Sequence, residues 1–198
     1  MTGRNFAANI TIKALKLLKL LKEKFMFARL IATSLIAFAL VGCSSGVKHA
    51  DIGNKQYLST RPAKSISISL SADAKKQVSD NLKFDQNALV DNVKRAMSSQ
   101  NLLSENNPEA SNTVEILVKD FRVRSAFTAI MFGFMAGNDH IVGDVILKDA
   151  TGKEINRFEI SASYALGGLA GGQDGMRLSW LYEKFAELTV EHLGGKKM

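Results

Sequence analysis

The chain has a single cysteine among its 198 residues, so no disulfide can close within it. Its histidines number three, His49, His140 and His192, and none is spaced with Cys43 as a zinc site requires. No metal site and no cofactor is expected from these residues. Long apolar runs are also missing. The stretch of residues 30–41 carries no charge, but it falls short of the ~20 residues that cross a bilayer.

That short run is the key to the N-terminal region. Arg29 precedes it, and Leu40-Val41-Gly42-Cys43 followed by Ser44-Ser45 ends it. A basic flank, a short apolar core and small residues at a cut site form a secretory signal. Leu-Val-Gly-Cys resembles the lipobox of bacterial lipoproteins. The resemblance implies diacylglycerol transfer to the Cys43 sulfur, cleavage between Gly42 and Cys43, and acylation of the new amino group. A lone cysteine is more often a small buried hydrophobe, but Ser44-Ser45-Gly46 argues against a core helix running on through Cys43. Residues 1–42 are therefore expected to be a leader, and Cys43 a covalent lipid anchor in the membrane.

The chain offers two starts, Met1 and Met26, and residues 26–42 alone have the proportions of a signal peptide. Residues 10–25 read as a basic amphipathic helix, with Lys13, Lys16 and Lys19 opposed to Ala14, Leu17, Leu18 and Leu21. An over-extended or long leader explains it more simply than a membrane-surface helix. This segment dominates the charge. The chain has 26 Lys+Arg and 19 Asp+Glu; residues 1–42 hold seven of the bases and one acid, leaving 19 against 18. A net charge of +1 gives no electrostatic footprint for nucleic acid, and that partner class is excluded.

Residues 43–198 suffice for one domain with a core. Residues 44–62 are rich in Ser, Lys and Gly with little apolar periodicity. They read as a flexible lipidated tether reaching about 25 Å. From residue 63 the pattern tightens. Ile66, Ile68 and Leu70 alternate with Ser65, Ser67 and Ser69 as in a strand with one dry face. Asp85 is an N-cap candidate for a helix with the stripe Leu89, Val93, Ala96 and Met97, which Asn106-Asn107-Pro108 stops. A strand over residues 113–124 buries Val114, Ile116 and Val118, then switches parity at Phe121 and Val123. The switch implies a bulge near Lys119-Asp120, or cover on both sides. Strands 141–148 and 154–164 flank a turn in which Gly152 supplies positive φ. Asp174 caps a final helix with the stripe Leu178, Leu181, Phe185 and Leu188, ended by Gly194-Gly195. The expected fold is α+β: a two-layer sandwich, a mostly antiparallel sheet of about four strands with two helices on one face.

Residues 133–137, the run Asp144 to Glu154 with its Asp-Ala-Thr-Gly-Lys turn, Phe158, and Gly167-Gly168-Leu169-Ala170-Gly171-Gly172 before the closing helix carry a likeness. Over about residues 113–193 the chain resembles a bacterial envelope lipoprotein family known only as a domain of unknown function. It is more distantly similar to the periplasmic domains of curli-secretion and penicillin-binding-protein-activator lipoproteins. The resemblance implies an envelope lipoprotein and transfers no catalytic residue.

The residues themselves supply no reaction centre either. Asp139-His140 are adjacent, so they seldom face each other, and a solvated loop pair explains them. Ser125, Ser161, Ser163 and Ser179 lack a nucleophile elbow. The Gly-rich run 167–172 lacks the Lys-Ser/Thr of a phosphate loop. The other unusual segment is 126–136 (AFTAIMFGFMA), uncharged where a turn is normally polar. Phe127, Ile130, Met131, Phe132, Phe134 and Met135 are expected to fold back over the open sheet face. The close alternative is an interaction surface for a partner, a second copy or the membrane. The expected function is non-catalytic: a membrane-anchored lipoprotein that binds or assembles with another envelope protein or with itself. The alternatives are a subunit of an oligomeric lipoprotein pore or secretion assembly, or an enzyme acting on cell wall or lipid. Ser44 stands where an aspartate would retain an enteric lipoprotein in the inner membrane. Its expected place is therefore the outer membrane, facing the periplasm.

Overall fold

The computed structural model describes residues 45–53, 55–59, 61–80, 83–132, 137–165 and 174–195. Gly42, Cys43, Phe134, Met135 and the Gly-rich run 167–172 lie outside these residues. Five strands form one sheet: β1 (Gly46–His49), β2 (Ala63–Leu70), β3 (Asn112–Arg122), β4 (Asp139–Lys148) and β5 (Glu154–Tyr164), in the order β1-β5-β4-β3-β2. Four helices accompany them: α1 (Ala72–Asp80), α2 (Gln86–Ser99), α3 (Ala126–Phe132) and α4 (Asp174–Leu193). The α+β class is as expected, but the described residues hold five strands where about four are expected, and four helices where two are.

The sheet is mixed because β2 pairs parallel with β3 while its other pairings are antiparallel. Parallel neighbours need a long crossover, and the chain between Leu70 and Asn112 provides it as α1 and α2. The helix layer over the sheet is α2 and α4 packed on each other, with α4 against β4 and β5. The core lies between the layers, with Val114, Ile116, Val118, Val145, Phe158 and Ile160 from the sheet facing Leu89, Val93, Leu181 and Phe185. Asp85 caps α2, its side chain accepting from the Ala88 amide at 3.0 Å. The Tyr182 hydroxyl accepts from the Asp85 amide at 2.8 Å and ties that cap to α4. Burial pushes this hydroxyl up to about 12, so it stays protonated.

The parity switch in β3 is a bulge. Val118 pairs with Gly143 and Asp120 with Val142, which leaves Lys119 unpaired in the ladder. Beyond Leu70 the strand β2 no longer covers the edge of β3, and the following residues take over its backbone groups. The Ser71 amide donates to the Val118 carbonyl, and the Ser71 hydroxyl to that of Lys119. Gln77 on α1 accepts from the Phe121 amide at 2.9 Å. Opposite the bulge, a Cβ on Gly143 would sit 3.3 Å from the Phe185 ring and 3.1 Å from the Leu117 carbonyl oxygen. Glycine is what lets α4 approach the sheet there.

Residues 46–49 correct the tether reading. They form an edge strand, with Val47 opposite Ile160 and His49 opposite Phe158. The chain after it also holds to the domain: the Gln56 amide donates to the Ile155 carbonyl, and Leu58 is buried. One isolated valine in a polar stretch shows no period, so only pairing with a preformed edge makes it a strand. At the far end of the sheet Gly152 has φ +83°, and Asp149 accepts from the Thr151 and Lys153 amides to close the β4–β5 turn.

Candidate docking surface

Three charged side chains are buried where β3 runs out, β4 begins and α4 starts. Arg124, Asp139 and Arg177 are all at most 3% exposed. The Asp139 carboxylate takes two hydrogen bonds from the Arg124 guanidinium, at 3.0 and 3.2 Å, and one from its amide at 2.7 Å. Arg177 donates to the same carboxylate at 2.6 Å and to the Arg124 carbonyl at 3.0 Å. Arg177 also pairs with Asp174, which Lys83 meets from the other side. Charges removed from water are tolerated only when paired and hydrogen-bonded. One carboxylate thus fastens three elements at one pole of the sheet.

The segment between Arg124 and Asp139 contains α3. Its side chains do not fold back over the sheet as expected: Phe127 is 68% exposed, Ile130 51%, Met131 63% and Phe132 57%. Thr128 and Ser125 cap the helix start, the Ser125 hydroxyl accepting from the Thr128 amide at 3.1 Å. A seven-residue helix gains little stability by itself, and the ion-paired Arg124 and Asp139 flank it along the chain. Clustered large apolar side chains exposed on a folded domain mark interaction sites.

The opposite sheet face is polar and charge-paired. Lys119, the bulge residue, bonds Asp144 at 2.7 Å and Glu159 at 2.5 Å; Glu159 also meets Lys48, and Asp144 meets Arg157. The bond from Lys119 holds the Glu159 carboxyl below the usual carboxylate range, against the opposing effect of burial. Asp139 and His140 sit on a strand, not in a loop, and so point to opposite faces. Asp139 is buried with the arginines, while the His140 ring contacts Asp120 at 2.9 Å on the outer face. Ser163 is paired in register with His140, but its hydroxyl accepts from Asn138 at 3.1 Å. On the helix side, His49 and His192 stack with centroids 5.2 Å apart, both beside Phe158. Partial burial, then the charges of His192 and Lys55, lower the pKa of His49.

Residues 47–168 match the family model described as Domain of unknown function (DUF4410). The chain belongs to that family. The match begins in β1 and runs through β5, so the DUF4410 domain includes the strand that the tether reading left out. No curated protein matches the chain. Among solved structures, it is similar to a point variant of PelC from Paraburkholderia phytofirmans, a dodecamer, at 13% identity and a TM-score of 0.42, covering 78% of this chain and 100% of that one. A second PelC dodecamer from the same organism gives 13% identity and a TM-score of 0.40 over 74% and 97% of the two chains.

Among the described residues of the DUF4410 domain, no helix is long and apolar enough to cross a membrane. No group of three or more His, Cys, Asp or Glu that could hold a metal occurs among them. A groove of about 1000 Å³ opens between α2 and α4, with Glu183, Glu187 and Glu191 along one wall and Arg95 on the other. The structure brings four of the six apolar candidates together on α3; Phe134 and Met135 lie outside the described residues, as do Gly42 and Cys43. The cluster of Arg124, Asp139 and Arg177 went unforeseen. Its members are scattered along the chain, and no local pattern marks two arginines and an aspartate as buried partners.

Proposed function

We propose that this DUF4410 protein is a lipid-anchored, non-catalytic component of the bacterial cell envelope that works by docking, with α3 as its docking surface. The observation that carries the reading is the exposure of Phe127, Ile130, Met131 and Phe132 on a helix bracketed by a buried ion cluster. The ion-paired cluster ties down both ends of this segment, so the apolar side chains are presented outward instead of collapsing inward. The histidines support the same reading. His49 and His192 stack on an aromatic ring, and His140 lies in a charge-paired face, so none is aimed with a second acid or base into a cleft. The anchor is Cys43 within Leu-Val-Gly-Cys, and Ser44 after it directs the protein to the outer membrane.

Intact-mass spectrometry of the mature protein, together with membrane fractionation, tests this. The expected mass is that of a chain starting at Cys43 with its acyl groups, in the outer-membrane fraction. Cys43→Ser leaves an unlipidated precursor. A mature chain without acyl groups, or one that fractionates with inner-membrane markers, overturns the anchoring or its destination. Chemical crosslinking of the lipidated protein then separates docking on a different protein from assembly of identical copies.

A further inference from the structure

We propose that the pole of the domain carrying α3 is its membrane-facing surface, and that α3 docks on the lipid bilayer itself. This rests on anchoring through Cys43. The first argument is chain length. The Ser45 hydroxyl accepts from the Ser163 amide at 3.1 Å, and β1 begins at Gly46, opposite Ser161. Only Ser44 lies between Cys43 and Ser45, two residue steps that span at most about 7 Å. A tether of that length cannot lift the domain from the membrane, so the end of β5 at Ser163 stays close to the lipid.

The second argument is what else lies at that end. Tyr164, the residue after Ser163, pairs with Asp139, which is the start of β4 and the acceptor of Arg124 and Arg177. The two ends of the α3 segment and the first turn of α4 therefore share the pole from which the anchor leaves. With strands about 4.8 Å apart, β3 lies about 15 Å across the sheet from β1. Six large apolar side chains are exposed among the described residues. Five of them, Phe127, Ile130, Met131, Phe132 and Met176, belong to α3 and the first turn of α4; the sixth is Tyr57. Tyr164 and Trp180, with ring centroids 5.1 Å apart, add an amphipathic aromatic pair to the same region. The opposite pole is polar, with Lys148, Asp149, Lys153 and Glu154 about the β4–β5 turn.

The third argument is chemical. Residues 126–132 contain no charge, and an apolar helix face settles about 5–10 Å into the headgroup boundary. A protein partner or a second copy needs an apolar patch somewhere on the surface, with no reason for it to coincide with the lipid anchor. A bilayer requires that coincidence.

The test uses the full lipidated chain in vesicles of phosphatidylethanolamine and phosphatidylglycerol. With Cys43 acylated, Phe132→Cys introduces a single free thiol for an environment-sensitive fluorophore. Met131→Cys repeats the measurement beside it, and Thr151→Cys places the probe at the opposite pole. Phospholipids brominated on their acyl chains are expected to quench the probe at 132 and 131 several-fold more than at 151. Equal weak quenching at all three positions in vesicles that float with the protein overturns the inference and leaves the anchor standing. A blue-shifted but unquenched probe at 132 means that protein covers α3, which also overturns it. A chain that neither floats nor carries acyl groups in its mass spectrum removes the anchoring reading, and this inference with it.

Discussion

Asp139 is the residue on which the candidate surface depends. It is fully buried and is the carboxylate that the two buried arginines share, Arg177 having Asp174 as a second partner. Asp139→Ala leaves two guanidinium groups facing each other across a cavity, with the Arg124 amide also deprived of its acceptor. The expected loss is about 3–5 kcal/mol, the range for breaking a buried pair by removing one partner. Urea unfolding of the purified domain measures it, and a midpoint within error of the wild type would show that the cluster contributes nothing. None of this was legible locally. Asp139 and Arg124 are 15 positions apart and Arg177 lies 38 beyond Asp139, and a charged residue is read as solvated until the fold shows otherwise. By contrast, Asp85 and Gly152 were legible, because an N-cap and a positive-φ turn are decided by neighbours a few residues away.

Among the elements, those with a period were the ones that could be read. The stripes of α2 and α4 and the hairpin of β4 and β5 depend on repeating burial, and each has close to the expected limits. Even the bulge at Lys119 was visible as a change of parity in β3. The elements that escaped lack a repeat: β1 has one valine in four residues, and α1 offers only Ala72, Ala74 and Val78 among polar side chains. For α3 the sequence shows the composition and not the direction its side chains face. An uncharged run fits a core cover as well as a surface, and the choice rests on the exposures. They make a clear prediction: Phe132→Asp places a charge in water, so stability stays within about 0.5 kcal/mol of the wild type. Thermal melting checks it; a collapse of the transition would mean that Phe132 is covered after all.

For the whole molecule, the sheet, the ion cluster and the exposed helix combine into an oriented object. The polar turn at Gly152 lies at one end, and the apolar helix lies at the end from which β1 leads back toward Cys43. On the proposed anchoring through Cys43, the contact surface is set by the attachment. The family model spans β1 to β5, so β1 is part of the shared domain and not an accessory of this chain. The central claim, that α3 is the docking surface of an envelope-anchored domain, is tested most directly by amide hydrogen exchange. Exchange over residues 126–132 is compared between the protein in its native envelope membranes and residues 44–198 produced without leader or lipid in detergent-free buffer. The account predicts strong protection of this segment in the membranes and its loss in the soluble chain, with β3 to β5 protected equally in both. Equal exchange of residues 126–132 in the two states would contradict it.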